Sequence, residues 1–300
     1  MKWVRRVGIL LVGLIVLGAG AAAAVYGTSE RKLEARYTVT PEFAAPMVAD
    51  SAVLARGEHV AKSLAKCVDC HGDDLGGGVV IDAPPIGHIE ATNLTTGAGG
   101  VLAMYDDAAL ERAIRHGIAA DGRSLLVMPS SEYNHLADDD IAALVAYIRS
   151  RPSVARTHRS STIGPVIRAM WVAGQADPVP AAVIAHDAPH LKSAPMGNSV
   201  EAGAYIASNG CAGCHGATYS GGPIPGGPPD WKPAANITPS GIGHYSLKTF
   251  RTMLREGKRP DGTVVDTLMP VKATRQMSDE EIESVYKFLR TLPSKSFGNR

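Results

Sequence analysis

Two short motifs in this sequence combine two thiols with an imidazole at a fixed spacing. Both read Cys-x-x-Cys-His, and their residues are Cys67, Cys70 and His71 in the first motif and Cys211, Cys214 and His215 in the second. This spacing is the attachment signature of a c-type haem, in which two thiols form thioether bonds and the histidine binds the iron. A short helical turn brings all three side chains to one haem face. We therefore expect two haem c groups.

A zinc site and a redox-active dithiol are the other readings of a Cys-x-x-Cys pair. Zinc would need two further Cys or His ligands at similar spacing in each half, and the sequence near the motifs offers none. A thioredoxin-type dithiol lies between a strand and a helix, whereas both motifs follow a stretch of helical pattern. Haem attachment is favoured over both readings.

The two motifs belong to a duplicated segment of roughly 90 to 95 residues. Beyond the motifs, the copies share an Asn-apolar-Thr triplet, two short amphipathic helices, an Asp-Gly pair and a Met-Pro pair. These features are Asn93-Leu94-Thr95 and Asn236-Ile237-Thr238, the helices 106–117 and 246–257, Asp121-Gly122 and Asp261-Gly262, Met128-Pro129 and Met269-Pro270, and the closing helices 138–150 and 278–291. Agreement at so many points predicts two domains with the same fold.

The repeat selects the second axial ligand of each iron. Met128 and Met269 are the only methionines that coincide between the copies, and the proline after each one favours a loop whose thioether can face the iron. Met253 and Met277 align instead with apolar positions of the other copy, which is typical of methionines that pack in a core. We predict iron ligation by His71 and Met128 in the first copy, and by the equivalent pair in the second.

Three further residues are candidates for hydrogen bonds to haem propionates. Asn93 and Asn236 recur between the copies, and Trp231 lies shortly before the second of them. The alternative for the asparagines is a turn in which the side chain bonds its own backbone. We weigh the turn and the propionate contact equally for both asparagines.

The N-terminal segment has the pattern of a membrane-spanning helix. Lys2, Arg5 and Arg6 precede an uncharged, mostly apolar stretch over residues 7–26, long enough at about 1.5 Å per residue to cross a bilayer. A cleaved signal peptide is the rival reading, because residues 21–24 are the small residues typical of a cleavage site. We favour a retained anchor with the N-terminus in the cytoplasm. Either reading exports the chain from about residue 28 onward.

The composition fits domains that are completed by a cofactor. A net charge of +1 and 45% apolar residues exclude a polybasic nucleic-acid binder and a disordered chain. Only 5% of residues are aromatic, while 32 glycines and 20 prolines indicate long irregular loops. A porphyrin would fill the place that Phe and Trp normally take in a core, so we expect the apoprotein to be largely unfolded.

We predict an all-α fold, with two tandem domains of three to five short helices around a haem each and an N-terminal transmembrane helix. The predicted divisions are an anchor at 1–27, a spacer at 28–50, a first domain at 51–152, a connector at 153–198 and a second domain at 199–300. The connector is rich in proline and alanine, and we expect it to cross one domain's surface, with its apolar part from Ile163 to Ala173 packed rather than free.

These motifs resemble those of class I c-type cytochromes, in particular membrane-anchored di-haem members from bacteria. Similar modules occur in the cytochrome c subunits of bacterial membrane-bound alcohol and aldehyde dehydrogenases. The resemblance covers about residues 57–151 and 203–293, and it rests on the haem motifs, the Asn-apolar-Thr triplets, the Met-Pro pairs and the closing helices.

Haems with both axial positions filled exchange single electrons and bind no substrate. We therefore expect a non-enzymatic electron carrier of a respiratory or periplasmic oxidation chain, held on the outer face of the cytoplasmic membrane. Its partners would be a dehydrogenase or quinol-oxidising complex as donor and a periplasmic cytochrome or terminal oxidase as acceptor. A permanent electron-transfer subunit of a membrane-bound dehydrogenase is the first alternative. A di-haem peroxidase is a weaker one, because it needs one iron that opens to peroxide.

Overall fold

The computed structural model describes residues 2–40, 49–228 and 230–300. Helix α1 (Lys2–Leu33) is apolar along most of its length, and its most apolar 18-residue window is entirely unburied. Among the described residues it is the one helix long and apolar enough to cross a membrane. It continues six residues beyond the predicted end at residue 27, so the start of the expected spacer is helical. The residues after 40 in that spacer lie partly outside the described residues.

The first domain is built from five helices, of which the first, third and last are the longest. They are α2 (Ser51–His59), which continues as a wider turn over Val60–Leu64, α3 (Cys67–His71), α4 (Asp107–His116), α5 (Ser130–Tyr133) and α6 (Asp138–Arg149). Asp106 caps α4 by accepting a hydrogen bond from the Ala109 amide at 2.7 Å. Gly117 ends it in the left-handed conformation, with φ +64°.

The second domain repeats this order of helices and adds one short helix before its equivalent of α4. Its helices are α8 (Val200–Gly210), α9 (Ala212–His215), the additional α10 (Pro239–Ile242), α11 (Leu247–Glu256), α12 (Val271–Thr274) and α13 (Asp279–Thr291). Gly257 ends α11 with φ +69°, as Gly117 ends α4. Ser278 and Glu281 form the capping box of α13 that the sequence predicts. Met253 and Met277 are buried in the core, which confirms them as packing residues.

The first and last helix of each domain cross in close contact, α2 on α6 and α8 on α13. A glycine occupies each crossing point. A Cβ at Gly57 would overlap the Ala143 carbonyl oxygen, and a Cβ at Gly203 would overlap the Ser284 carbonyl oxygen. The two backbones therefore approach more closely than any other residue would permit.

A small antiparallel sheet departs from the predicted all-α fold. Strand β1 (Gly78–Ala83) pairs with β2 (Gly87–Ala91), and β2 pairs with β3 (Thr162–Ile163) from the connector. Residues 79–81 are Val-Val-Ile, which favour an extended backbone, and a short turn folds the chain back on itself. The sheet belongs to the loop after the first motif, and the second domain has no counterpart among the described residues.

The connector packs against the first domain along much of its length. Ile163 and Trp171 are buried together with Ile89 and Val179 in a second, smaller hydrophobic cluster. Helix α7 (Pro165–Val172) lies within the connector and contacts the end of α1. The prediction that the apolar part of the connector packs is confirmed.

The two domains meet through a network of buried and half-buried polar groups. The Tyr205 hydroxyl donates to the Asp140 carboxylate at 2.6 Å and accepts from the Ala137 amide at 2.9 Å. Arg56 binds the same carboxylate through two hydrogen bonds, of 2.6 and 2.8 Å. The carboxylate of Glu281 in the second domain lies 2.7 Å from the His59 imidazole of the first. These contacts hold the domains in one arrangement.

Candidate haem sites

Both Cys-x-x-Cys-His motifs form a short helix directly after the first long helix of their domain. Helix α3 begins after Lys66, whose left-handed backbone (φ 53°) breaks the preceding helical run, and α9 follows α8 at Cys211. None of the four cysteines forms a disulfide bond in the structure. Each motif therefore presents two thiols and one imidazole from a single turn of helix, as the sequence predicts.

A backbone carbonyl fixes the ring of each motif histidine. Nδ1 of His71 donates to the Thr92 carbonyl oxygen at 2.8 Å, and Nδ1 of His215 donates to the Ala235 carbonyl oxygen at 2.7 Å. A proton held on Nδ1 leaves the lone pair on Nε2, which is the arrangement of a metal-binding histidine. Burial lowers the pKa of both imidazoles and so favours the neutral form that ligation requires. The donor set fits a haem iron.

The thiols lie in an environment that opposes ionisation. Burial raises the pKa of Cys67 to about 12 and that of Cys211 to about 11, and it also raises the pKa values of Cys70 and Cys214. A redox-active dithiol needs the opposite shift. Across residues 2–40, 49–228 and 230–300, no group of three or more His, Cys, Asp or Glu side chains is placed to hold a metal ion.

The two Met-Pro pairs adopt the same loop conformation. The carbonyl oxygen of Met128 accepts from the Ser130 amide at 2.8 Å, and that of Met269 accepts from the Val271 amide at 2.7 Å. A short helix, α5 or α12, follows directly in each copy. Both methionines are half-buried against the core cluster that Cys67 and Cys211 also contact. Each copy thus brings its methionine and its motif to the same core, and iron ligation by the methionines stays a prediction.

The two recurring asparagines stabilise turns. The Asn93 amide oxygen accepts from the Thr95 amide and hydroxyl at 3.0 and 2.8 Å, and its nitrogen donates to the carbonyl oxygens of Val154 and Arg156. Asn236 makes the same turn, and its nitrogen donates to the carbonyl oxygen of Lys295 at 2.7 Å. Each side chain therefore ties the chain that follows the closing helix back to its domain.

A propionate contact from any of the three candidate residues stays a prediction. The turn accounts for both asparagines, because protein oxygens accept hydrogen bonds from the amide nitrogens that would bind a propionate. Trp231 is 44% exposed and packs over Gly227 in an irregular loop.

The residues directly before the two motifs are in contact across the domain interface. Lys66 and Gly210 occupy equivalent positions, each directly before the first cysteine of its motif. The Lys66 ammonium donates to the Gly210 carbonyl oxygen at 3.3 Å. Since these equivalent positions are in contact, the starts of the two motifs lie close together at the interface between the domains.

The short helix after each methionine contacts the other domain, which sequence reasoning did not find. Helix α5 packs against α8, and α12 packs against the turn before the first motif. The Glu132 carboxylate on α5 lies directly against Gly213, inside the second motif, and burial raises its pKa. Lys272 on α12 pairs with Asp73, just after the first motif, at 3.2 Å. No local pattern marks these residues, because their partners are far away in the sequence.

Two comparisons with known proteins agree with this geometry. Residues 200–293 match the family model described as cytochrome c, and residues 52–148 match the model described as cytochrome c oxidase, cbb3-type, subunit III. Each matched segment contains one Cys-x-x-Cys-His motif and one Met-Pro pair. The chain therefore carries two domains of cytochrome c type, and such domains imply haem c.

The chain is also homologous to the cytochrome subunits of several dehydrogenases. It is 28% identical to the cytochrome c subunit of the quinone alcohol dehydrogenase of Gluconacetobacter polyoxogenes, over 82% of this chain and 57% of that protein. It is 29% identical to the gluconate 2-dehydrogenase cytochrome c subunit of Pantoea cypripedii, over 82% of this chain and 61% of that protein. The fructose dehydrogenase cytochrome subunit of Gluconobacter japonicus is 28% identical, over 84% and 55%. The matched region is little more than half the length of these relatives.

Proposed function

We propose that this chain is a membrane-anchored di-haem cytochrome that transfers single electrons as the cytochrome subunit of a dehydrogenase complex. The domain divisions expected from the sequence are part of this proposal, with haem domains at 51–152 and 199–300. Cytochrome c domains and the dehydrogenase relatives support electron transfer through haem. Beyond electron transfer through haem, the proposal assigns the axial ligands of the irons, the role of α1 as a membrane anchor and the protein partner.

One repeated observation carries the proposal. In both domains a backbone carbonyl holds Nδ1 of the motif histidine, and the methionine of a Met-Pro pair, which continues into the same turn in both copies, packs against the core that the first motif cysteine also contacts. We assign His71 and Met128 as the axial ligands in the first domain and His215 and Met269 in the second. The four motif cysteines carry the thioether bonds.

Bound haem c supplies an iron that takes up and releases one electron. With a histidine and a methionine from the chain as ligands, neither iron would be open to substrate, and a thioether ligand would favour the reduced state. The Thr92 and Ala235 carbonyl oxygens accept from Nδ1 of the two motif histidines and so orient the imidazoles that would bind the iron. The close approach of the two motifs brings the two sites together across the interface. Transfer of an electron between the domains is the function that this arrangement supports best.

The relatives support a dehydrogenase as the electron donor. Three of them are cytochrome subunits of alcohol, gluconate and fructose dehydrogenases by name. A periplasmic cytochrome or a terminal oxidase would accept the electrons. The α1 helix supports anchoring in the cytoplasmic membrane, with both haem domains on its outer side, and a cleaved signal sequence is the other reading of the same helix.

Haem content and ligation test the proposal directly. Expression of the full chain with the machinery for haem attachment should give two covalent haems per chain by mass spectrometry and pyridine haemochrome absorbance. A near-infrared charge-transfer band of the oxidised protein should integrate to two methionine-ligated haems. Rapid peroxide turnover, or carbon monoxide binding to the reduced protein, would show an open iron and exclude the carrier.

Purification from native membranes tests the partner. The intact chain should co-purify in a fixed ratio with a dehydrogenase that reduces its haems in the presence of substrate. Recovery of the chain by itself, with haems that only a soluble cytochrome reduces, would contradict the dehydrogenase assignment and leave the haem assignment untouched.

A further inference from the structure

Helix α7 exposes a face without a polar side chain, although it lies on the surface of the molecule. Its sequence is Pro-Val-Ile-Arg-Ala-Met-Trp-Val, in which Arg168 is the only charged residue. Arg168 is only 9% exposed and points inward. The outward side consists of four exposed residues of α7, Pro165, Val166, Ala169 and Val172, together with the residue that caps it, Ala173. An exposed face without a polar side chain marks a surface that contacts lipid or another protein.

The inward face of α7 is clamped to the end of α1. The Arg168 guanidinium donates to the Ser29 hydroxyl at 2.7 Å and pairs with the Glu30 carboxylate at 2.7 Å. It also lies over the Tyr26 ring, 4.8 Å from its centre. Ser29 is fully buried by this contact. The position of α7 relative to the apolar helix is therefore fixed.

The contact with α1 defines how far α7 lies from the membrane core. The apolar stretch of α1 ends at Tyr26, and the charged residues Glu30, Arg31 and Lys32 follow three small or polar residues later. Tyrosine is enriched at the membrane–water interface, and charged residues lie outside the hydrocarbon. Since α7 contacts α1 between Tyr26 and Leu33, it lies at the level of the lipid headgroups.

We propose that α7 is an interfacial helix whose exposed apolar face contacts the lipid surface beside α1. This inference rests on the proposed anchoring of α1. Spacings of three and four residues place Val166, Ala169 and Ala173 on one side of the helix. A short amphipathic helix of this kind lies in the membrane plane with its apolar face about 5–10 Å into the boundary between headgroups and acyl chains.

Basic residues at the same level favour a lipid partner over a protein partner. Lys32 lies over the Trp171 ring, 5.0 Å from its centre, and Arg31 is its neighbour on α1. Cationic side chains next to an apolar face complement anionic headgroups. With α1 and α7 both in contact with the bilayer, the first haem domain would have a fixed orientation to the membrane, because the clamp prevents rotation about α1.

Spin labels on the full chain in lipid nanodiscs test this placement. Labels at Val166→Cys and Val172→Cys should be more accessible to oxygen, which dissolves in lipid, than to a water-soluble nickel chelate. Val264→Cys, an exposed valine of the second domain, is the matched control and should show the reverse order. Leu14→Cys, within α1, reports separately on the anchor, and the unsubstituted chain gives the labelling background.

The four labels separate the outcomes. Lipid accessibility at Leu14 together with nickel accessibility at Val166 and Val172 would overturn the interfacial helix and leave the anchor standing. Water accessibility at Leu14 would overturn the anchor first. Labels on α7 that are protected only when a dehydrogenase is added would assign the face to a protein partner and also overturn the lipid proposal.

A measurement on the unmodified chain removes any effect of the labels. Phospholipids with a photoreactive diazirine in the acyl chain should crosslink to the peptide that contains residues 165–173. Peptides from the exposed surface of α11 should give none. Equal yields from the two regions, or no crosslink at α7, would contradict the proposal.

Discussion

The two domains share one haem cradle but differ in what the chain does after it leaves the closing helix. In each domain an asparagine side chain binds that segment. The amide nitrogen of Asn93 donates to the Val154 carbonyl oxygen, and that of Asn236 donates to the Lys295 carbonyl oxygen. After Val154 the chain continues through strand β3 into helix α7, which contacts the end of α1. After Lys295 it folds back, and Arg300 donates to the Cys214 carbonyl at 2.6 Å.

The comparison separates the features that both domains share from those that only one domain has. The features common to both domains are those that orient the motif histidine, position the Met-Pro loop and cross the first and last helices. The sheet and the second hydrophobic cluster belong to the first domain alone, within the described residues. The shared features therefore belong to the two candidate haem sites, whereas helix α7 and the second hydrophobic cluster join the first domain to the end of α1.

Loss of haem attachment should give the largest effect and should differ between the domains. Replacing both cysteines of the second motif by serine should abolish the amide protection of α8 and α13, because the haem forms the centre of that domain. In the variant with serines at Cys67 and Cys70, β2 and α7 should keep part of their protection through the second hydrophobic cluster. Hydrogen exchange measures both. Equal loss in the two variants would show that this cluster has no stability of its own.

Exchange of one methionine should change one haem. Met128→His should lower the potential of the first haem by on the order of 0.1 V, within the range of about 0.8 V that axial ligands span, and leave the second nearly unchanged. Met269→His should do the reverse. Redox titration with the near-infrared band measures both, and Met253→Leu, a buried packing methionine, is the control. If both haems respond equally to one variant, the domains are not independent modules.

The helix crossings should be equally intolerant of a side chain in the two domains. Gly57→Ala and Gly203→Ala should each lower the free energy of unfolding by about 2 kcal/mol or more, because the added Cβ meets a backbone carbonyl. Gly210→Ala, on the same helix as Gly203, has open space at its Cβ and should change stability by no more than about 0.5 kcal/mol. Guanidinium unfolding of the full chain in detergent measures all three. A tolerated Gly57→Ala would mean that the first crossing can open.

The two asparagines should contribute differently to the free energy of unfolding. Asn93 is fully buried and its nitrogen donates to two carbonyls, so Asn93→Ala should cost about 2 kcal/mol of stability. Asn236 is partly exposed, and water can replace some of its bonds, so Asn236→Ala should cost about 1 kcal/mol. The same unfolding experiment measures both. A shift of haem potential without a change in stability would instead favour the propionate contact.

The smallest effect, a change of haem potential, should come from a carboxylate of the first domain that lies against the second motif. Glu132→Gln removes a carboxylate that belongs to the first domain but lies against Gly213 of the second motif. At an effective dielectric constant of about 20, the second haem's potential should rise by tens of millivolts, and the first haem's by less. Glu256→Gln removes an exposed carboxylate of the second domain and should shift neither. A larger shift at the first haem would contradict the placement of this carboxylate against the second motif.

Much of the site could be predicted because its chemistry is encoded locally. The Cys-x-x-Cys-His turn, the Asp106 cap, the Ser278 capping box and the Asn93 turn each depend on residues only a few positions apart. Alignment of the two copies then singled out Met128 and Met269, because they are the only methionines that occupy equivalent positions. The sheet was missed because Val79 and its neighbours form a strand only when a distant strand is available for pairing.

The sequence by itself determined two haem domains, their core histidines and an apolar N-terminal helix, since these follow from spacing, periodicity and composition. Only the tertiary structure decided which residues meet across long distances in the chain. Gly57 matters because α6 crosses it, Glu132 because the second motif lies beneath it, and Arg168 because α1 ends beside it. Such contacts arise because the two copies and helix α1 pack together, and no pattern within any one segment contains them.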